Sequence, residues 1–499
     1  VTDIASRLAD GEWHRLHPAT PLLRGGIALV AIAGAIIVNL RDVLIQVVIG
    51  GPDTGDDPFL WIIDSGYAGL ALLLVAVVLL LVVVGFYLSW RMHTFRITDE
   101  VVEVRSGILF RTNRRGRLDR IQGINIVRPF IARLFGAAKL EVDVAGQNAN
   151  VRLSYLASAA ADDLRREILL LASGARPTPN GASPSGTFIE KRINEFLAPE
   201  LDPGVAPPQS VVQMNLGRLL GSILLSGFSV LVLVGGAAAV TVIARTGEVY
   251  YLLGAVPALI GFGGYYVSRF TRSLRYSIAA TPDGVRVGFG LLSTSNETLP
   301  PGRIHAVQVS QPLLWRAPGW WEIKINRAAT SSANGAAGQA QTTILPVGNL
   351  ADVRKVLELV LPDLIDPASI ALVESGLASA GGDDGFLNSP PRAAILRWFS
   401  WRRNGFALTD ESVLLRRGAI WRQLVIVPHA RAQSVSLRQG PLLRRLRLAT
   451  VRVHTVRGPV EARLGAIDQA EAVRFFGEMA DAAVRAANAD TTHRWRNAS

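Results

Sequence analysis

The sequence predicts a membrane protein of the α+β class, in which two transmembrane helical hairpins carry three copies of an antiparallel-strand unit closed by a helix. Two observations predict it. The stretch Leu299–Ile325, LPPGRIHAVQVSQPLLWRAPGWWEIKI, has counterparts at Gly116–Val144 and Val427–Val453. Four strongly apolar runs, near Leu22–Leu40, Tyr67–Leu88, Leu216–Ala244 and Val249–Val267, are each long enough to cross a bilayer as a helix.

In each copy of the repeat an arginine (Arg120, Arg303, Arg431) opens an alternating apolar/polar run that reads as a half-buried strand. A proline follows (Pro129, Pro312, Pro441), then a short bulky segment, then a second alternating run. Upstream lie Phe95–Arg111, Tyr276–Ser293 and Phe406–Arg422, each a strand, a turn, a strand, a glycine (Gly107, Gly290, Gly418) and a third strand. Asp and Gly at the turns suit the tight backbone of a hairpin. Each copy ends in a helical apolar pattern, at Ala157–Ala172, Asn349–Leu361 and Ala466–Ala483. Three matches in one order mark an internal repeat.

These residues resemble the bacterial Pleckstrin-homology-domain membrane proteins, of the larger, YdbT-like kind. The resemblance covers nearly the whole chain and is carried by Arg15–Pro18 (RLHP), Arg303–Arg316 with Trp320–Trp321, and Arg438–Leu446. It implies three Pleckstrin-homology (PH)-like domains, each a bent antiparallel β-barrel plugged by its C-terminal helix. It brings no known catalytic residue. It also implies one half of a pair, whose companion is a smaller one-domain PH-like membrane protein.

Hydrophobic residues make up 49% of the 499 residues, and the excess is concentrated in the four apolar runs. Mean hydropathy is +0.29. With no cysteine, a disulfide framework and thiolate chemistry are excluded. The formal charge of +12 suits a cytoplasmic face against anionic headgroups. Nucleic acid is not expected as a partner, since the basic residues are spread through strands beside membrane spans without a recognisable binding module.

Charge sets the expected orientation. Arg7, Arg15 and Arg24 precede the first span and Arg91 and Arg96 follow the second, while the intervening loop Gly51–Asp64 is acidic. Arg269, Arg272 and Arg275 follow the fourth span. Positive-inside bias places the N-terminus and all three domains in the cytoplasm of an inner-membrane, multi-pass protein. Arg41–Asp42 reads either as an intramembrane polar site or as a charge pair at the outer headgroups. Gly217 and Gly221 have the GxxxG spacing of close helix packing.

The expected domains are 1–90 (juxtamembrane segment and first hairpin), 91–173 (first PH-like domain), 174–214 (linker) and 215–270 (second hairpin). They continue with 271–365 (second PH-like domain), 366–393 (linker), 394–488 (third PH-like domain) and 489–499 (tail). The third copy has no hairpin of its own, so a tether is sought in Ala394–Phe406. There Trp398, Phe399 and Trp401 stand among Arg397, Arg402 and Arg403. Two readings stay open: an interfacial segment with aromatics at the headgroups, or the packed entry to the third domain.

No nucleophile, acid–base or phosphate-loop motif is present, and no catalytic residue, cofactor or metal is assigned. His14 and His17, beside Glu12, lack further ligands nearby for a metal. Arg120, Arg303 and Arg431 suit phosphate or carboxylate by chemistry, and fold maintenance by their recurrence. With Trp398, Trp401, Arg402 and Arg403 they form the candidate ligand or membrane-surface contacts. The turns Thr98–Glu100, Thr281–Gly284 and Thr409–Glu411 contain acidic residues, which argues against inositol-phosphate binding at the first hairpin. The expected function is a non-enzymatic platform for protein assembly, by recruitment of a partner or by self-association. The alternative is binding or export of a lipid or amphiphile in envelope defence.

Overall fold

A computed structural model of the chain describes residues 8, 10–17, 20, 23, 68–107, 111–144, 150–173, 210–247, 251–274, 276–281, 284–290, 294–299, 302–327, 342–362, 366–382 and 384–489. The run Leu22–Leu40 (Leu23 apart), Arg41–Asp42, the acidic loop Gly51–Asp64 and residues 174–209 of the expected linker lie outside them.

Three modules follow one another. Module 1 runs β1 (His14–Arg15), α1 (Ala68–Arg91), β2 (Thr94–Ile97), β3 (Val101–Ser106), β4 (Thr112–Arg117), β5 (Ile121–Arg128), α2 (Phe130–Leu134), β6 (Ala137–Val144), β7 (Val151–Ala157) and α3 (Ser158–Ser173). Module 2 runs β8 (Ser210–Gln213), α4 (Leu216–Leu224), α5 (Gly227–Thr246), α6 (Tyr251–Ser273), β9 (Ser277–Thr281), β10 (Gly284–Phe289), β11 (Thr294–Leu299), β12 (Ile304–Gln311), β13 (Trp321–Arg327), β14 (Thr343–Gly348), α7 (Leu350–Val360) and α8 (Pro367–Ala378). Module 3 runs β15 (Leu387–Asn388), α9 (Ala394–Arg397), β16 (Gly405–Leu408), β17 (Ser412–Arg417), β18 (Arg422–Pro428), β19 (Ser434–Arg438), α10 (Pro441–Arg445), β20 (Leu448–His454), β21 (Arg463–Asp468) and α11 (Gln469–Ala489).

Two compact units result. The first comprises Val1–Leu118, Arg128–Glu141 and Val151–Ile168. Its sheet has the order β1-β2-β3-β4, with His14 opposite Phe95 and Val101 opposite Arg117. Phe95, Ile97 and Val102 point inward and are buried, as strand alternation requires.

The second unit comprises Asp119–Val127, Val142–Asn150 and Leu169–Ser499. Its strands are shared between modules. β5 neighbours β11 in one sheet. β12 of module 2 pairs antiparallel with β18 of module 3, Val307 opposite Ile426 and Val309 opposite Leu424, and a seven-stranded sheet of order β14-β13-β12-β18-β17-β16-β15 results. Module 3 then ends in an open sheet β19-β20-β21. The resemblance implies a closed barrel in each of three domains. Among the described residues no sheet closes on itself, and the fourth long strand of one module lies against the third of the next. Each strand so placed satisfies backbone donors and acceptors that an edge would leave to water.

Two apolar clusters fill this unit. One gathers Ile323, Ile325, Val356 and Leu357 with Leu414, Leu424 and Ile426 across the module boundary. The other packs Phe406, Val451 and Leu464 under Phe475 and Met479 of α11. Helix α7 starts with a capping box, Asn349 accepting from the Asp352 N–H and Asp352 accepting from the Asn349 N–H.

The apolar run Leu216–Ala244 is expected to be one span, but the structure breaks it after Leu224. Ser226 caps α5 by accepting from the Ser229 N–H at 3.3 Å, and the Ser229 hydroxyl donates to the Ile223 carbonyl at 2.8 Å. Helix α4 is therefore amphipathic, with Leu219 and Ile223 buried. Helix α5, 20 residues long, is long and apolar enough to cross a membrane. The 24-residue α1 occupies the second apolar run.

Candidate functional site

A short strand opens each module and pairs with its first long strand: β1 with β2, β8 with β9, β15 with β16. The polypeptide between the two differs from module to module. In module 2 it contains α4, α5 and α6; in module 3 it is only Ser389–Asn404. The bulky segment after each repeated proline sits against the root of this insertion. In module 1 Ala132 of α2 packs with Tyr155 and Leu23. In module 2 Trp320 meets Gly221 of α4. In module 3 Leu443, Leu446 and Trp401 pack against one cluster, Ala393, Leu448 and Ala466.

The short insertion of module 3 holds four of the sequence-predicted residues, in contrasting places. Trp398 is 77% exposed and meets Phe399 edge-on, their centroids 4.9 Å apart. Trp401 is half-buried, with the Arg402 guanidinium 5.4 Å from its ring centroid. Arg403 is only 3% exposed and donates to five carbonyls, of Ser379, Arg417, Gly418, Gly376 and Leu377, at 2.8–3.0 Å. Burial, with Arg416 close by, brings its pKa down to about 9. Arg403 therefore bonds the interior of the module, while Trp398 and Phe399 face outward.

The repeated arginines also separate. Arg120 ends a 3₁₀ turn, Leu118–Arg120, and is exposed. Arg431 ends the corresponding turn, His429–Arg431. Arg303 and Arg431 converge on His305, whose ring bonds the Arg431 main chain. Burial of the imidazole, reinforced by both guanidinium charges, lowers the His305 pKa to about 4. In sequence His305 stands two residues after Arg303; that Arg431 lies beside it depends on the β12–β18 pairing.

A cavity of about 420 Å³ lies at the base of α6, missed by the sequence reading because its lining comes from stretches far apart in the chain, from Leu219 to Pro459. Its walls include Tyr265, Arg269, Tyr276, Glu322, Lys324 and Thr343. Arg269 donates to the Tyr265 hydroxyl at 2.8 Å and has no carboxylate partner among the described residues, while Lys324 pairs with Glu322 at 2.9 Å. An aromatic group, Phe228, Phe262, Tyr265 and Tyr266, lines the helices just beyond it.

Two strand edges complete the picture. β4 ends the sheet of the first unit and β19 ends the last sheet of the second. Both are largely solvent-facing along their length.

A family model for the bacterial PH domain matches residues 32–172, 222–363 and 368–482. The UPF0699 transmembrane protein YdbT of Bacillus subtilis (strain 168) is 21% identical over 341 residues, which is 63% of this chain and 62% of that protein. The chain thus matches less than two thirds of that relative's length. No solved structure matches.

Proposed function

This chain belongs to the bacterial PH domain family, and on that premise we propose a multi-pass protein of the inner membrane that serves as a non-enzymatic platform for protein assembly. Two helical hairpins hold three PH-like domains at the cytoplasmic face, and the domains join further copies of the chain edge to edge. The observation that carries this reading is the inter-module strand pairing. Twice within the chain a third strand (β11, β18) lies beside the fourth strand of the module before it (β5, β12). β4 is a third strand and β19 a fourth strand, each without such a neighbour among the described residues. The two halves of one junction are therefore left at opposite ends of the repeat, and β-augmentation by a second copy would fill both. Such a heterologous contact extends head to tail.

The register of the internal junction supplies the test. Gln308 faces Val425 there, and in the repeat these positions correspond to Ser436 and Arg114. Because the chain lacks cysteine, two differently tagged populations carrying Arg114→Cys and Ser436→Cys can be mixed in native-like membranes and oxidised. A disulfide joining the two tags is expected. Its absence, with both proteins folded, overturns self-assembly by this route; a crosslink from Ser436→Cys to another PH-like membrane protein assigns the edge to a companion instead.

A second reading, binding or export of a lipid or amphiphile, is favoured by the cavity at the base of α6. Its mixed lining, with Arg269 and Lys324 beside tyrosine and threonine hydroxyls, suits a phosphate-bearing headgroup. Native mass spectrometry of the Arg269→Gln/Lys324→Gln variant would show lost phospholipid adducts if the cavity holds one.

A further inference from the structure

The third module has no hairpin, yet its insertion occupies the same place in the repeat. The chain leaves β15, forms Ser389–Asn404 and enters β16, as it leaves β8, forms α4 to α6 and enters β9. A soluble turn at this point would be expected to present polar residues. Instead Ile395 is 72% exposed, Trp398 77% and Phe399 50%. These side chains extend no core, since the neighbouring cluster is Ala393, Leu448 and Ala466 with Trp401, Leu443 and Leu446 packed against it.

The adjoining α10 adds to the same surface. Arg392 donates to the Leu446 carbonyl at 2.9 Å, holding the two segments together. Leu442 of α10 is exposed, and Arg402, Arg444 and Arg445 stand exposed around the apolar group. The other post-proline segments repeat the pattern beside the longer insertions: Phe130, Ile131 and Leu134 are exposed in module 1, Leu313 and Leu314 in module 2.

We infer that Ala394–Trp401 and α10 form a membrane wedge, which sets Ile395, Trp398, Phe399 and Leu442 into the headgroup layer of an anionic bilayer and its arginines onto lipid phosphates. The bilayer is the occupant because the equivalent insertion in module 2 holds the helix long and apolar enough to span it. Tryptophan flanked by arginine is the side-chain combination that partitions to that boundary. The wedge gives the third module a third point of attachment. This rests on the membrane reading above.

The absence of cysteine makes the test direct. Single nitroxide labels are placed at Ile395→Cys, at Val234→Cys within α5, and at Asp410→Cys on the turn between β16 and β17. The full-length protein is reconstituted in phosphatidylcholine vesicles containing about one third phosphatidylglycerol, and accessibility to oxygen and to a water-soluble nickel complex is compared. The label at Ile395 is expected to show an oxygen-to-nickel ratio several-fold above that at Asp410. Adding Trp398→Glu and Phe399→Glu should return it to the aqueous value while the Val234 label stays lipid-exposed. An aqueous Ile395 label beside a lipid-buried Val234 label overturns the wedge alone. Aqueous labels at both positions overturn the membrane reading with it. A label at Ile395 shielded from both probes means that protein covers the surface, and also overturns the wedge.

Discussion

The indole of Trp320 lies directly over the Cα of Gly221, so close that a Cβ there would approach the ring carbon Cζ3 to 2.9 Å, with Cη2 nearer still. The contact joins α4 to the turn before β13, and Trp320 is further fixed by edge-on packing with Trp315 at 6.4 Å. Gly221→Ala is therefore expected to destabilise the second unit by about 1–3 kcal/mol through overpacking, with a shift in tryptophan emission. Gly217→Ala, where the nearest atom to a Cβ is Asn215 Oδ1 at 3.3 Å, should cost far less. Chemical unfolding in detergent of the two variants checks the difference, and equal costs would remove Trp320 from the explanation.

That pair also shows where the sequence stops being legible. Gly217 and Gly221 have the spacing of a helix-packing motif, but periodicity cannot say that the second glycine receives an indole from nearly 100 residues downstream. Strand positions were legible because alternation and turn residues are local: the runs opened by Arg120, Arg303 and Arg431 lead into β5, β12 and β19. Sheet order was not, because the pairing of β12 with β18 depends on which edges meet after the modules fold. The broken third apolar run was hidden for a similar reason. Ser226 and Ser229 are unremarkable in a hydropathy window, and act only through hydrogen bonds at the turn. Arg403 looked like its neighbour Arg402 in sequence, and only the fold separates an interior guanidinium from an exposed one.

Arg403 illustrates a charge retained for its geometry. Five carbonyls at the end of α8 and at the turns around Ser379 and Gly418 accept from its planar fork. Lysine has one nitrogen and cannot reach them together. Arg403→Lys is expected to cost about 2 kcal/mol, and Arg403→Met about 3–5 kcal/mol, because both leave buried carbonyls without donors. The loss should appear first as faster proteolysis of the third module. If the lysine variant unfolds at the same denaturant concentration as the parent, the fork is not what the site requires.

Asn326 makes the corresponding link from module 2 into module 3. Its amide donates to the Val460 carbonyl at 2.7 Å and its carbonyl accepts from the Val460 N–H at 2.8 Å. Gly458 lies beneath it, where a Cβ would come within 2.6 Å of the Asn326 Cγ. Asn326→Leu strands two buried backbone groups and should cost about 2–4 kcal/mol. Gly458→Ala displaces the amide and should cost about 1–3 kcal/mol. The two effects act on one contact, so the double variant should lose less than the sum. Additive losses in a double-mutant cycle would mean that the sites are independent.

His305 predicts how stability depends on pH. Burial of the ring, followed by the Arg431 and Arg303 charges, lowers its pKa from 6.5 to about 4 in the folded protein. Between these values the unfolded chain binds a proton that the folded chain refuses, so acid favours unfolding. The stabilisation is complete above about pH 6.5 and is lost as pH falls toward 4, with a ceiling of about 3 kcal/mol that partial solvent access reduces. Burial lowers the pKa of His429 as well, and it contributes in the same direction. His305→Gln keeps a polar side chain of similar size without the titration. Unfolding free energies measured from pH 7.5 to 4.5 should fall more steeply for the parent than for this variant. The gap should open below pH 6.5; parallel curves through that range would show that the Arg303–His305–Arg431 group does not control acid sensitivity.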